Sequence, residues 1–239
     1  MKNTAIVLAA GSGKRMNSDI KKQYMMLAGK PVLYHSLKAM EESDVITDVV
    51  VVTSEEDKDY VLTDIVNKHK FTKVRDIVTG GKERYHSVMN GLDKITEKGG
   101  ADYVFIHDGA RPLITPDIIS RLYDDVRVNE TAIAAVKSKD TVKIASPSDI
   151  VVSTPNRSLV WIIQTPQVFS YSLIKEAYDV LKEEECGLPC SGINVTDDAM
   201  VVETFSGHKV KLTEASYENI KITTPEDLDI AELIIKRRQ

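Results

Sequence analysis

The sequence predicts an α/β fold: a doubly wound, mostly parallel, Rossmann-like sheet with a projecting β-hairpin arm. Three observations predict it. Short runs that are apolar at every position recur along the chain, and segments with helical apolar spacing lie between them. One stretch past the middle alternates instead, around a turn-rich loop. Strands apolar on both faces belong to buried parallel sheets, and their alternation with helices places helices on both faces of the sheet.

Taken in order, Ala5-Ile6-Val7-Leu8-Ala9-Ala10 is the first strand and stops at Gly11. A helix follows Pro31, marked by Leu33, Leu37 and Met40 at helical spacing. Val49-Val50-Val51-Val52 is the second strand, with helical spacing after it at Val61, Leu62, Ile65 and Val66, and again at Val88, Leu92 and Ile95. Tyr103-Val104-Phe105-Ile106 is the third strand and Ala132-Ile133-Ala134-Ala135-Val136 the fourth. Between them Thr115-Pro116-Asp117 opens a helix with Ile118, Ile119, Leu122 and Val126 on its apolar face. The hydroxyl caps the first turn, proline sits where no N–H is needed, and the acid meets the positive dipole end.

Between Lys139 and Arg157 the pattern changes. Thr141-Val142-Lys143-Ile144 alternates, Ala145-Ser146-Pro147-Ser148-Asp149 is a turn signal, and Ile150-Val151-Val152-Ser153 returns. This predicts a β-hairpin with a loop longer than two residues. The arm, 139–157, is too small for a domain, and a projecting hairpin needs cover, so it predicts a homodimer contact. Helical spacing resumes at Leu173, Ile174, Ala177 and Leu181. Asn219-Ile220-Lys221-Ile222 is expected as a last short strand, and Thr224-Pro225-Glu226-Asp227 starts a terminal helix. Trp161 and Phe169 are expected in the core. Residues 1–239 read as one domain with no internal repeat.

Composition narrows the function. The chain has 239 residues, 42% apolar and 28% charged, with a formal net charge of −5. A general nucleic-acid binder is normally basic, so that role is disfavoured; a local basic site for a phosphorylated small molecule is compatible with the total. No apolar stretch approaches the roughly 20 residues that span a bilayer, and the first apolar run is too short for a secretion signal. Cys186 and Cys190 are too few for a structural zinc site and read as cytosolic thiols. The expected location is the cytoplasm, with no membrane or nucleic-acid partner.

Ala9-Ala10-Gly11-Ser12-Gly13-Lys14-Arg15-Met16 follows the first strand. Glycines there let backbone N–H groups face an anion. Met16 stands where a dinucleotide fingerprint has its third glycine, which argues against a nicotinamide-dependent oxidoreductase, and the P-loop spacing is missing. Lys14, Arg15, Lys21 and Lys22 add the donors that phosphate oxygens need.

These residues carry a family resemblance. Leu8 to Met16 followed by Lys22-Gln23-Tyr24 resembles the signature of nucleotidyltransferases that join a nucleoside triphosphate to a sugar or polyol phosphate. Gly80-Gly81-Lys82-Glu83-Arg84 with Ser87-Val88 resembles the cytosine-reading segment, and His107-Asp108-Gly109-Ala110-Arg111-Pro112 the metal and phosphate segment. Asp140-Thr141, Arg157, Gln164-Thr165-Pro166-Gln167, Thr196-Asp197-Asp198-Ala199 and Asn219-Ile220-Lys221-Ile222-Thr223 complete the set, in order. Together they are most similar to the 2-C-methyl-D-erythritol 4-phosphate cytidylyltransferase family. Its cousins, the ribitol-5-phosphate cytidylyltransferases, more often have Ala-Gly-Gly in the first loop and His-Asp-Ser-Val-Arg-Pro in the phosphate segment; Pro155-Asn156-Arg157 is shared with them. Two departures stand out: Lys82, where the family often has Asp, and a longer stretch from Cys186 to Asn194.

The resemblance implies CMP transfer from CTP to 2-C-methyl-D-erythritol 4-phosphate, with release of pyrophosphate, in non-mevalonate isoprenoid precursor synthesis. It implies that Arg15 and Lys22 flank the α-phosphate, and that Arg157 and Lys221 hold the acceptor phosphate; Arg157 closes the hairpin, a position from which it can enter a neighbouring subunit's site. Gly81 and Ser87 would read the cytosine edge beside the Ala9 and Ala10 backbone, with Gly11 and Gly13 in the phosphate turn. Asp108 would stand near Mg²⁺ bound mainly through the CTP phosphates, and Arg111, Thr141, Thr165 and Thr196 would be further substrate contacts. His107 is expected to serve an internal hydrogen bond. Arg15 and Lys22 together argue against a catalytically silent nucleotide-binding regulator.

Overall fold

The computed structural model describes residues 1–11, 20–187 and 195–238. Along the chain run β1 (Asn3–Leu8), β2 (Met26–Leu27), β3 (Lys30–Pro31), α1 (Val32–Glu42), β4 (Asp48–Thr53), α2 (Lys58–Tyr60) continuing as a π-helical stretch Val61–Asn67, β5 (Val74–Thr79), α3 (Arg84–Glu97) and β6 (Tyr103–Asp108). Then come α4 (Pro116–Asn129), β7 (Thr131–Lys137), β8 (Ile144–Ala145), β9 (Val151–Ser153), β10 (Trp161–Ser170), α5 (Tyr171–Gly187), α6 (Asp198–Phe205), β11 (Leu212–Glu214) and α7 (Pro225–Arg238). Among the described residues the main sheet has seven strands in the order β11-β7-β10-β6-β1-β4-β5. All neighbours are parallel except β10, which is antiparallel to both β6 and β7.

The apolar runs are explained by the two faces. Ala5 and Val7 of β1, Val51 of β4 and Phe105 of β6 enter one core with Leu33 and Leu37 of α1 and Ile119 and Leu122 of α4. Ile6, Val50, Val52, Val104 and Ile106 enter the other, beneath Val88 and Leu92 of α3, Ile174 of α5 and Val201 of α6. Each central strand is thus buried on both sides. α4 starts as its sequence requires: the Thr115 side chain accepts from the Ile118 N–H at 3.5 Å, with Pro116 at the first position. It ends at Glu130 in the left-handed region, φ 60°.

Several expectations are corrected. β10 was not anticipated, because Gln164-Thr165-Pro166-Gln167 interrupts its apolar pattern. Its pairing with β7 shifts register between Ile163 and Gln167, so the proline sits where the ladder is already broken. β5 and β11 lie at the two edges of the sheet, which accounts for their charged and polar residues. Asn219–Ile222 is not a strand; single bonds hold it, the Asn219 amide donating to Gln164 Oε1 and to the Thr165 carbonyl at 3.0 Å each and the Ile222 N–H to the Ala110 carbonyl at 2.8 Å. The hairpin is present, but its pairing is limited to β8 and β9, and Thr141–Lys143 is not in the ladder. Phe169 is fully buried as expected, whereas Trp161 is half-buried at the base of the arm with the Lys137 ammonium 5.5 Å from its ring centre.

Candidate active site

The carboxyl ends of β1, β4 and β6 meet at one rim of the sheet, where open α/β sheets bind ligands. There an open cleft of about 390 Å³ is lined by Ala9, Ala10 and Gly11 after β1, Lys22 and Gln23, Gly81 to Arg84 and Ser87 around the start of α3, Asp108 at the end of β6, and Lys221.

Backbone contacts shape the rim. The Ala9 N–H donates to the Val52 carbonyl at 2.6 Å, the Gly80 N–H to Thr53 at 2.7 Å and the Gly109 N–H to Leu8 at 2.8 Å. Gln23, buried, donates through its amide to the Ala9 and Gly11 carbonyls at 2.7 and 3.1 Å and so fixes the turn from inside. Gly80 is there because the loops approach closely: a Cβ at that position would stand 2.4 Å from the Ala10 Cβ. Ser87 Oγ accepts from the Gly81 N–H at 3.0 Å and donates to the Glu83 carbonyl at 3.3 Å.

Asp108 is the electrostatic centre. One carboxylate oxygen is 2.7 Å from Lys221 Nζ and the other 3.3 Å from Arg84 Nε. Burial opposes its charge, but the Arg84 and Lys221 cations hold the carboxyl well below the usual carboxylate range. Its backbone N–H donates to Thr165 Oγ1 at 3.0 Å. His107 beside it is fully buried, and burial pulls its pKa down to about 4, so the ring is neutral at pH 7. Its Nε2 faces the Arg111 carbonyl at 3.2 Å and its Nδ1 faces Thr165 Oγ1 at 3.2 Å. Because a carbonyl only accepts, the neutral ring donates from Nε2 and receives the Thr165 hydroxyl proton at Nδ1. The chain Asp108–Thr165–His107–Arg111 is therefore consistent throughout, and His107 serves an internal hydrogen bond as expected.

The expected residues divide into groups. Ala9, Ala10, Gly11, Lys22, Gly81, Ser87, Asp108 and Lys221 line one cleft. Thr165 is buried behind Asp108 and braces the backbone instead of facing the cleft. Arg111 points back into the protein, donating to the Asn219 carbonyl at 2.8 Å. Thr196 is exposed before α6, and Thr141 and Arg157 are exposed on the arm; none of the three lines this cleft. Gly13 and Arg15 lie outside the described residues, as do Cys190 and most of the Cys186–Asn194 stretch. Lys21, grouped with the phosphate donors, instead bonds Ser54, Glu56 and Asp57 at 2.8, 2.7 and 2.6 Å. Arg84, Asp198 and Gln23 are not among the expected site residues. Arg84 and Asp198 sit inside motifs quoted above, but their pairing spans 114 positions and no spacing announces it.

Chemically, the cleft offers, among the described residues, a glycine turn, four cationic residues (Lys22, Lys82, Arg84 and Lys221) and the Asp108 carboxylate, held ionised. This suits two phosphate-bearing ligands brought together.

Comparison with known proteins identifies the family. A model of the 2-C-methyl-D-erythritol 4-phosphate cytidylyltransferase family matches residues 3–237. A 2-C-methyl-D-erythritol 4-phosphate cytidylyltransferase of Lachnospira eligens is 51% identical over 234 residues, 98% of this chain and 99% of its own length. One of Lachnoclostridium phytofermentans is 50% identical over 238 residues, 100% of this chain and 98% of its own. The crystal structure of a 4-diphosphocytidyl-2C-methyl-D-erythritol synthase from Anaerococcus prevotii superposes with a TM-score of 0.84 at 34% identity, covering 99% of this chain and 96% of that one. A match over the full length, on a chain whose cleft gathers the family's motif residues, leads to one conclusion: the chain belongs to the 2-C-methyl-D-erythritol 4-phosphate cytidylyltransferase family.

Proposed function

We infer that this chain transfers CMP from CTP to 2-C-methyl-D-erythritol 4-phosphate, giving 4-diphosphocytidyl-2-C-methyl-D-erythritol and pyrophosphate in isoprenoid precursor synthesis. The observation that carries this reading is the convergence of Ala9–Gly11, Lys22, Gly81, Ser87, Asp108 and Lys221 on one cleft in a chain that matches the family end to end.

An oxygen of the acceptor phosphate attacks the α-phosphorus, and the bond from that phosphorus to the β-phosphate bridge breaks. The nucleophile has a second pKa near ~6 and is already ionised at neutral pH, so no general base is required. The barrier is repulsion: two unit charges 4 Å apart oppose each other by about 4 kcal/mol at an effective dielectric of ~20. Lys22, with Arg15, neutralises charge gathering on the α-phosphate. Lys221 orients the acceptor phosphate, and Gly81 and Ser87 hold the cytosine edge beside the Ala9 and Ala10 backbone. These are positioning and electrostatic contributions.

A divalent cation, magnesium, fits the residues present. Among the described residues no cluster of three or more His, Cys, Asp or Glu forms a cage, while the Asp108 carboxylate stands ionised in the cleft at the end of β6. Magnesium prefers that setting, one or two carboxylates plus substrate phosphates. When bound it supplies charge neutralisation to the triphosphate, and Asp108 is the residue that would hold it.

The chain is proposed to work as one domain in a cytoplasmic homodimer. No helix among the described residues is long and apolar enough to cross a membrane. The arm exposes Ile144, Ile150, Val151 and Val152, and Thr141 and Arg157 on it are exposed and do not line the cleft of their own chain. A second copy covering the arm would bury the first set and bring the second to a cleft. The function is tested by pyrophosphate release from CTP with two acceptors. Turnover with 2-C-methyl-D-erythritol 4-phosphate is expected; turnover with ribitol 5-phosphate alone would reassign the chain to the cousin activity.

A further inference from the structure

Behind the cleft wall lies a buried ion pair that the reaction as described leaves unused. Asp198, the first residue of α6, has no exposed surface. Its carboxylate accepts from two nitrogens of Arg84, Nη1 at 2.9 Å and Nη2 at 2.8 Å, and from the Tyr178 hydroxyl at 2.6 Å. Tyr178, on α5, is buried as well. Gln167 on β10 fixes the helix end, its Oε1 accepting from the Asp198 and Ala199 N–H groups at 3.0 and 2.9 Å. Three elements therefore hold this carboxylate in place.

Arg84 faces the other way with Nε, 3.3 Å from Asp108. A guanidinium binds a carboxylate most strongly through two parallel N–H bonds. Asp198 takes the two-point contact, and Asp108 is left with a single longer one. A buried ion pair is a poor device for stability, since apolar residues of similar volume often do as well or better. Its cost is understandable if it positions a cation.

We propose that Asp198, clamped by Tyr178, is a positioning residue of the nucleotide site: it holds Arg84 at the cleft wall and keeps the guanidinium from closing as a two-point pair on Asp108. The ligand class served is the triphosphate of a nucleoside triphosphate, so the inference rests on the CTP reading above. Without the Asp198 charge, Arg84 closes onto Asp108, and the cleft wall loses the guanidinium position that the triphosphate would meet.

The test compares wild type, Asp198→Asn, Tyr178→Phe, Arg84→Ala and Asp198→Asn combined with Arg84→Ala. The readouts are calorimetric binding of a non-hydrolysable CTP analogue with magnesium, the acceptor KM and the melting temperature. Asp198→Asn is expected to weaken analogue binding about tenfold or more and to leave the acceptor KM within about twofold. It should add nothing once Arg84 is gone, because the two act as a unit. Tyr178→Phe, which keeps the charge pair, is expected to weaken binding about threefold. Unchanged binding in Asp198→Asn, or the same loss with and without Arg84, overturns the proposal. Should Asp198→Asn fail to fold, Tyr178→Phe decides, and wild-type affinity in that variant overturns it. Failure of the wild type to bind the analogue would instead overturn the CTP reading itself.

Discussion

Two neighbouring lysines show how a single residue's surroundings decide its role. Lys21 Nζ lies 2.7 Å from Glu56 and 2.6 Å from Asp57. Burial opposes its charge, but hydrogen bonds to Asp57 and Glu56 raise its pKa. Lys22, one position on, lines the cleft, while Gln23 is tied to the Ala9 turn and the Tyr24 hydroxyl to Thr53 Oγ1 at 2.7 Å. The flanking residues are anchors that aim Lys22. Lys22→Ala is expected to cut turnover by about 10²–10³, the range for losing one donor to transition-state charge. Lys21→Met should act only through its neighbour, slowing turnover by about threefold to tenfold at nearly unchanged melting temperature, because a partly exposed ion pair contributes little to stability. Steady-state rates and thermal melts on both variants check this; equal losses of activity would contradict the division of labour.

At the scale of elements, the helices and strands that were legible in the sequence are those whose surroundings are uniform. β1, β4, β6 and β7 lie inside the sheet and are apolar on both faces, so their runs stand out without any tertiary information. β5 and β11 are edges, and their Arg75, Asp76 and Glu214 obey edge rules that a search for apolar runs passes over. β10 is hidden by Pro166, whose place becomes intelligible only once the register shift beside β7 is seen. The site divides in the same way. Residues on consecutive loops around the rim were readable as motifs, whereas the Arg84–Asp198 pair exists only when α3 meets α6 across the fold. Helix α4 offers the cleanest test of local reading. Its Thr115 cap bond is long, 3.5 Å, so Thr115→Ala is expected to lose about 0.5–1 kcal/mol, the lower part of the capping range. Urea unfolding would measure it, and a loss well above that range would mean that Thr115 does more than cap.

At the scale of the whole molecule, the arm is where a second copy of the chain is proposed to pack. Ile150 and Val152 are each 67% exposed and Leu159 is 76% exposed. Such a set is costly to leave in water, and the proposed dimer would cover it. Arg157 lies on the same arm, exposed, with Nη1 donating to the Lys139 carbonyl at 3.2 Å. If the proposed dimer carries Arg157 into the neighbour's cleft, two inactive variants should repair each other. Lys22→Ala damages the cleft of its own chain but leaves Arg157 sound; Arg157→Ala does the reverse. Mixed by co-expression, half of the dimers pair one of each, and half of the clefts in those dimers combine an intact Lys22 with an intact Arg157. Activity should therefore recover to about a quarter of wild type, as two-fold symmetry dictates. An Arg157 that serves its own cleft gives no intact cleft in any combination, and the mixture would stay as inactive as its components. Val152→Asp supplies the companion measurement: a charge placed on the arm's apolar face should shift the protein toward monomer in sedimentation, and the recovery in mixtures carrying it should disappear at dilution first.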